Sequence, residues 1–154
     1  MIMSRKNTLI VLAGISGSGK STFAKHLFDS NPQIAIACPG LVREKLYGDA
    51  SIQGNGKQVF QMAFDIVELS GKVKADCVFD ATNTTKKARK QVIEQGRKYF
   101  DFILCYYFYP SLVKSLANQK KRVRQVPREI IARQINQWET PTIEEGFDYV
   151  CEIK

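Results

Sequence analysis

The chain has 154 residues, of which 44% are hydrophobic and 25% charged, and its 23 Lys and Arg against 15 Asp and Glu give a net charge of +8. This length and composition argue against a disordered chain, and we expect residues 1–154 to form a single globular domain. Because no apolar run approaches the ~20 residues of a membrane-spanning helix and the start lacks a secretory signal, we expect a cytoplasmic protein with no membrane partner.

Short apolar runs and amphipathic segments alternate along the chain. Residues 8–13 are a wholly apolar run that ends in glycines, which is typical of a buried parallel strand. Apolar residues at helical spacing, among them Val59, Phe60 and Ala63, predict a helix with one buried face. In chain order we predict strand 8–13, helix 21–30, strand 34–37, helix 41–47, loop 51–58, helix 58–73, strand 77–79, helix 85–99, strand 102–109, helices 112–120 and 127–139, and strand 147–153.

Strands that alternate with helices indicate an α/β fold. Such a fold places helices on both faces of a mainly parallel β-sheet. The residues that follow the carboxyl ends of the strands are then the first place to look for a functional site, because ligands of parallel sheets bind at that edge.

Residues 14–21, with the sequence GISGSGKS, match the pattern G-x-x-x-x-G-K-[ST] between a predicted strand and a predicted helix. Glycines let successive backbone N–H groups turn inward around an anion, and the following helix adds the positive end of its dipole. This phosphate-binding loop predicts ATP or another nucleoside triphosphate as ligand. The predicted nucleotide-binding residues are Gly14, Ser16, Gly17, Ser18, Gly19, Lys20, Ser21 and Thr22.

Three side chains at the end of this loop have predicted roles. Lys20 reaches the β- and γ-phosphates as a point charge, and Ser21 supplies a hydroxyl ligand for Mg²⁺. Thr22 caps the helix or contacts the α-phosphate. The alternative is a glycine turn that precedes a helix by chance.

Asp80 ends the predicted third strand and is the second candidate for a functional group. A carboxylate at this edge of the sheet would orient the shell of Mg²⁺ beside Ser21 or contact the acceptor of a phosphoryl group. The alternative role for Asp80 is to cap the helix that follows.

The segment 120–127, with the sequence KKRVRQVP, lies between two predicted helices. It belongs to a longer stretch, 86–128, in which 12 basic and two acidic residues give a net charge of +10. A basic segment next to a phosphate-binding loop predicts a lid that closes over the triphosphate and stabilises charge in the transition state. The excess charge also favours a polyanionic partner such as nucleic acid, and a solvated basic face is the alternative.

These motifs together resemble the P-loop kinases typified by the bacteriophage polynucleotide 5′-hydroxyl kinase, an AAA-type group that includes kinase domains of nucleic-acid repair enzymes. The resemblance rests on residues 14–22, 43–48 (REKLYG), 80–83 (DATN), 118–127 and 141–148 (PTIEEGFD). It implies a P-loop NTPase-type sandwich, with ATP and Mg²⁺ as cofactors. It also implies transfer of the γ-phosphate to a 5′-hydroxyl end of DNA or RNA.

The resemblance implies roles for individual residues. Arg43 would hold a phosphate of the acceptor. Thr82 and Asn83 would line the acceptor site at the end of the third strand. Arg122 and Arg124 would be the lid arginines that close over the donor.

One position departs from the pattern of this family. The aspartate that accepts the proton of the attacking hydroxyl stands three residues before the acceptor-binding arginine, and here that position is Gly40. General-base assistance is worth ~10²–10⁴-fold in rate. The substitution inactivates the enzyme, or a nearby acid takes over (Glu44, Asp49 or Asp80), or the chain binds its ligands with little turnover.

Three functions follow from these alternatives. The first is an ATP-dependent polynucleotide 5′-hydroxyl kinase, weakened by Gly40. The second is a P-loop kinase that phosphorylates a small alcohol, and the third is a nucleotide-gated nucleic-acid-binding module without turnover. The acceptor-binding segment distinguishes the first function from the second. Turnover distinguishes both enzymes from the third function.

Overall fold

The structure is a computed structural model, and it describes residues 6–50, 52–122 and 125–154. Five strands in these ranges form one sheet in the order β2-β3-β1-β4-β5, and every neighbouring pair is parallel. The strands are β1 (Thr8–Ala13), β2 (Ala35–Ala37), β3 (Cys77–Asp80), β4 (Phe102–Tyr107) and β5 (Tyr149–Glu152). The predicted α/β fold of P-loop NTPase type is confirmed, and the sheet is wholly rather than mainly parallel.

Six α-helices and one 3₁₀ turn connect these strands within the described ranges. The helices are α1 (Lys20–Ser30), α2 (Pro39–Tyr47), α3 (Gly56–Lys72), α4 (Lys86–Arg97), α5 (Leu112–Gln119) and α6 (Arg128–Gln137), and the 3₁₀ turn is Ile143–Glu145. None of the helices in this part of the chain is long and apolar enough to pass through a membrane.

Two helices begin two residues earlier than predicted, whereas the other four begin within one residue of the prediction. The predicted loop 51–58 is too long, because α3 begins at Gly56, where the side chain of Asn55 accepts a hydrogen bond from the N–H of Gln58 at 3.1 Å and caps the helix. Helix α2 begins at Pro39 instead of residue 41, since proline fits the first turn of a helix.

Strands β4 and β5, at the opposite end of the sheet from β2, are shorter than predicted. Strand β4 ends at Tyr107, and the chain beyond it turns toward Pro110, which has no N–H to continue a ladder. Strand β5 begins at Tyr149, because the side chain of Asp148 accepts the N–H of Ile103 at 2.8 Å in place of a backbone carbonyl.

The core lies on both faces of the sheet, with β1 at its centre. Leu9 and Val11 pack on one face against the apolar side of α3, and Leu12 packs on the other face against Ala24 of α1. The prediction for the buried face of α3 is wrong at Phe60, whose side chain is 38% exposed. Its ring lies in the cleft described below.

A buried ion pair joins helix α4 to the 3₁₀ turn. Arg89 is fully buried, and its Nε donates to Oε1 of Glu145 at 2.8 Å, while its second terminal nitrogen contacts Oε2 at 3.2 Å. The first terminal nitrogen donates to the carbonyl oxygen of Asn83 at 2.7 Å. The guanidinium of Arg89 therefore connects the 3₁₀ turn to the turn that follows β3.

We expect Glu145→Ala to lower the free energy of unfolding by about 3–5 kcal/mol, because it leaves a buried guanidinium without its carboxylate. Urea denaturation measures this loss. The control is Glu94→Ala, which removes an exposed partner of Lys90 at 4.0 Å and should cost less than about 1 kcal/mol. An equal loss of unfolding free energy in the two variants would contradict a stabilising role for the buried pair of Arg89 and Glu145.

Candidate active site

The phosphate-binding loop joins the carboxyl end of β1 to the start of α1. Gly17 and Gly19 have positive φ angles of 81° and 103°, which glycine adopts without strain. A Cβ atom on Gly17 would also lie 2.7 Å from the carbonyl oxygen of Ser115 in α5. The loop thus needs glycine at this position both for its backbone angle and for the close approach of α5.

Lys20 is the first residue of α1, and its side chain is held under the loop. Only 8% of the residue is exposed, and its Nζ donates to the carbonyl oxygen of Ile15 at 3.2 Å. Burial lowers the pKa of Lys20, while the nearby carboxylate of Asp80 acts in the opposite direction. An ammonium group has two further N–H donors, and phosphate oxygens suit them.

Ser21 and Asp80 meet between β1 and β3. The hydroxyl of Ser21 donates to Oδ2 of Asp80 at 3.0 Å, and Asp80 is only 5% exposed. The pairing of β3 with β1 places Asp80 beside Leu12, directly before the loop. The structure thus brings together the two predicted groups that would face a metal ion.

These two oxygen groups fit Mg²⁺, which takes hard oxygen ligands and is held in nucleotide sites by one or two carboxylates, water and phosphates. The described residues contain no group of three His, Cys, Asp or Glu side chains that would hold a metal without further ligands. Ser21 and Asp80 would therefore hold Mg²⁺ together with the phosphates of a nucleotide.

A cleft of about 620 Å³ opens above the loop. It brings together Ser16, Lys20, Ser21, Gly40, Arg43, Asp80, Thr82, Arg133 and Gln134. An adjoining cavity of about 470 Å³ shares Ser21, Gly40 and Asp80 with this cleft and is also lined by Arg122. Several predicted donor and acceptor groups thus line the main cleft, Arg122 lines only the adjoining cavity, and Arg124 lies outside the described residues.

Arg43 and Gly40 form the wall opposite the loop, in helix α2. The Nε of Arg43 is buried and has no hydrogen-bond partner among the residues that the structure describes. Since Arg43 lines the cleft, an anion bound there is a candidate partner for its guanidinium. A Cβ atom on Gly40 would meet only the sulfur of Cys38, at 3.7 Å, so there is room for a side chain at this position.

Two of the three acids that could replace the missing carboxylate line the smaller cavity. These are Glu44 and Asp80, whereas Asp49 lines neither that cavity nor the main cleft. Asp80 already accepts the hydrogen bond of Ser21. Glu44, one turn after Gly40 in α2, is thus the nearby acid in this cavity that is not engaged with Ser21.

The turn after β3 links the acceptor side of the cleft to the loop. Thr82 lines the cleft, and its carbonyl oxygen accepts the N–H of Gly14 at 2.9 Å. Asn83 is 5% exposed, has a positive φ of 45°, and donates from Nδ2 to the carbonyl oxygen of Leu12 at 2.7 Å. Its side chain faces the strand and not the cleft, so the structure gives Asn83 a supporting position.

Sequence reasoning missed polar groups of α5 and α6 that contact the loop. Nδ2 of Asn118 donates to the carbonyl oxygen of Gly17 at 2.7 Å, and Oε1 of Gln134 accepts the N–H of Ser16 at 2.8 Å. Arg133 adds a further cation to the lining of the cleft. Asn118 belongs to the segment 118–127 on which the family resemblance rests, whereas no local motif marks Arg133 or Gln134, and only their position beside the basic segment could have drawn attention to them.

The remaining loop residues differ in exposure. Ser18 is 4% exposed, and its hydroxyl has no hydrogen-bond partner in the described ranges. Thr22 is exposed at the start of α1. The side chain of Ser18 is thus buried, while Thr22 is exposed and lines neither the main cleft nor the adjoining cavity.

The chain belongs to the AAA domain family, which matches residues 9–141. Comparison with curated proteins finds no similar sequence. A chain of the Pnkp1/Rnl/Hen1 RNA repair complex has the same fold, with a TM-score of 0.77 and 20% identity over 88% of this chain. This chain spans only 45% of that one.

Two further solved structures share the fold over most of their length. Kti12 from Chaetomium thermophilum, in complex with ADP-AlF3, has a TM-score of 0.72 and 15% identity, and the match covers 94% of this chain and 88% of that one. A gluconokinase from Sinorhizobium meliloti 1021 has a TM-score of 0.60 and 14% identity, with 97% and 85% covered. The family is that of AAA domains and these solved structures share its fold, and neither determines what this chain acts on.

We expect Gly17→Ala to abolish ATP binding and to lower the melting temperature, because the new Cβ would collide with α5 and strain a left-handed backbone. Calorimetric titration with ATP and a thermal unfolding scan measure the two effects. Gly56→Ala is the matched control, since a Cβ at Gly56 meets no atom within 4 Å. Normal ATP affinity in Gly17→Ala would show that the loop does not hold the phosphates.

Proposed function

We propose that this protein is an ATP-dependent polynucleotide kinase that transfers the γ-phosphate to a 5′-hydroxyl end of DNA or RNA. The observation that carries the proposal is the cleft that is lined by Arg43, whose buried Nε has no partner among the described residues, together with Lys20 and the hydrogen-bonded pair of Ser21 and Asp80. The fold shared with a chain of an RNA repair complex supports the choice of acceptor.

On this proposal, the donor lies in the phosphate-binding loop. Backbone N–H groups of the loop surround the β-phosphate, and the ammonium of Lys20 neutralises the charge that moves from the γ-phosphate to ADP. Mg²⁺ held by Ser21 and Asp80 would supply further positive charge between the phosphates when bound. Arg122, from the basic segment, approaches the same space and would stabilise the equatorial oxygens of the transferred group.

The acceptor would enter from the side of α2. The guanidinium of Arg43 would hold a phosphate of the nucleic acid, so that the 5′-oxygen points at the γ-phosphorus. The new bond joins this oxygen to phosphorus, and the bond between phosphorus and the β–γ bridging oxygen breaks as ADP leaves. Gly40 cannot take the proton of the hydroxyl, so in the natural chain the proton passes to Glu44, the acid of the adjoining cavity that is not engaged with Ser21, or to water.

Gly40→Asp is therefore expected to raise the rate of phosphate transfer by about 10²-fold or more, since a carboxylate at this position supplies a general base. The assay is label transfer from γ-labelled ATP to a 5′-hydroxyl oligonucleotide. Gly40→Asn is the matched control, because its side chain has the same size and accepts no proton at neutral pH. Lys20→Ala should abolish transfer in every background.

The proposal fails if neither the natural chain nor Gly40→Asp transfers label to the oligonucleotide while both bind ATP. Transfer to a small alcohol under the same conditions would favour the second candidate function, a small-molecule kinase, which the fold shared with a gluconokinase supports. Tight binding of both ligands without product in either chain would favour a binding module.

A polyanionic acceptor also predicts a steep fall of oligonucleotide affinity with salt. We expect Arg43→Gln to weaken binding and to reduce the slope of log affinity against log salt by about one unit, because one phosphate contact is lost. Fluorescence anisotropy with a single-stranded oligonucleotide measures the slope. Lys72→Gln is the control, since this exposed lysine pairs with Glu68 at the opposite end of α3 from the cleft. No dependence on Arg43 would argue against a nucleic-acid acceptor.

A further inference from the structure

Gln134 makes a two-point contact with a single residue of the phosphate-binding loop. Its Oε1 accepts the backbone N–H of Ser16 at 2.8 Å, and its Nε2 donates to the hydroxyl oxygen of Ser16 at 3.1 Å. One side-chain amide thus engages both the backbone donor and the hydroxyl of Ser16. Both residues are partly buried, and both line the cleft between Lys20 and Arg43.

The next residue of the loop, Gly17, is held by α5. Nδ2 of Asn118, near the end of α5, donates to the carbonyl oxygen of Gly17 at 2.7 Å. Consecutive loop residues are thus attached to α5, which precedes the basic segment, and to α6, which follows it. A third amide joins the two ends of this segment, because Oε1 of Gln119 accepts the N–H of Val126 at 2.8 Å.

We propose that Gln134 is a positioning residue that ties α6 to the loop and couples binding of the γ-phosphate to the position of α6. The inference rests on ATP being the phosphate donor, as proposed above. A shift of the backbone at Ser16 around a phosphate moves or breaks the contacts with the amide of Gln134. By thermodynamic reciprocity, a shift of α6 changes the affinity of the loop for phosphate by the same factor.

A carboxylate in place of Gln134 tests this role, because a purely structural residue would not change the ratio of ATP to ADP affinity. Gln134→Glu keeps an acceptor for the N–H of Ser16 but puts a negative charge beside the γ-phosphate. We expect it to lower the ratio of ATP to ADP affinity by about fivefold or more, within the usual range of coupling between sites. Isothermal titration with ATP and with ADP, each in the presence of Mg²⁺, measures the ratio.

Gln137→Glu is the matched control, because it makes the same charge change on an exposed residue three positions later in α6. Solvent and salt screen an exposed charge, so its ATP to ADP ratio should stay within about twofold of that of the natural chain.

Gln134→Ala tests the coupling itself by hydrogen exchange. In the natural chain, ATP should slow exchange of the α6 amides, and in Gln134→Ala this slowing should disappear although ATP still binds. Failure of the natural chain to bind ATP would overturn the proposed function and this inference with it. If the natural chain binds ATP, the inference alone fails when Gln134→Glu behaves like Gln137→Glu and ATP slows α6 exchange equally in Gln134→Ala.

Discussion

The parallel pairing of β1 with its two neighbours determines where every group of the candidate site lies. Because β1 and β3 run in the same direction with Leu12 beside Asp80, the loop that leaves β1 and the carboxylate that ends β3 reach the same edge of the sheet. Helix α2 follows β2 and brings Arg43 to this edge. Strand β4, on the other side of β1, leads into α5, which supports the loop at Gly17. A change of register by one residue would separate these groups.

The parts of the site that could be predicted are those encoded by neighbouring residues. A glycine-rich loop before Lys20 depends on local backbone angles, and Asp80 is marked by the apolar run that it ends. Gln134 and Arg89 carry no such mark, since a glutamine in an amphipathic helix and an arginine in a basic helix are ordinary surface residues. Their roles arise from partners 118 and 56 positions away in the chain. Phe60 shows the same limit, because helical spacing identifies an apolar face but not the cleft beside it.

On the proposed function, the donor side of the cleft is better defined by the sequence and the fold than the acceptor side is. The loop, Ser21 and Asp80 form the proposed donor site, and a chain of an RNA repair complex and a gluconokinase share the same fold. The choice of acceptor must therefore come from α2 and the basic segment. Arg43 offers a buried donor to an anion, which suits a phosphate of nucleic acid better than an uncharged alcohol. Gly40 removes a carboxylate from this wall without closing the space around it.

The lining of the cleft is mainly basic, which suits an anionic ligand. Lys20, Arg43 and Arg133 line it, Arg122 approaches through the adjoining cavity, and Asp80 is the only acid among the lining residues of the main cleft that the structure describes. Burial lowers the pKa of Lys20, and the charge of Arg122 acts in the same direction. A triphosphate in the loop would act on Lys20 in the opposite direction, because an opposite charge stabilises a buried cation. The polar contacts of Asn118 and Gln134 with the loop connect this part of the cleft to the two helices on either side of the basic segment.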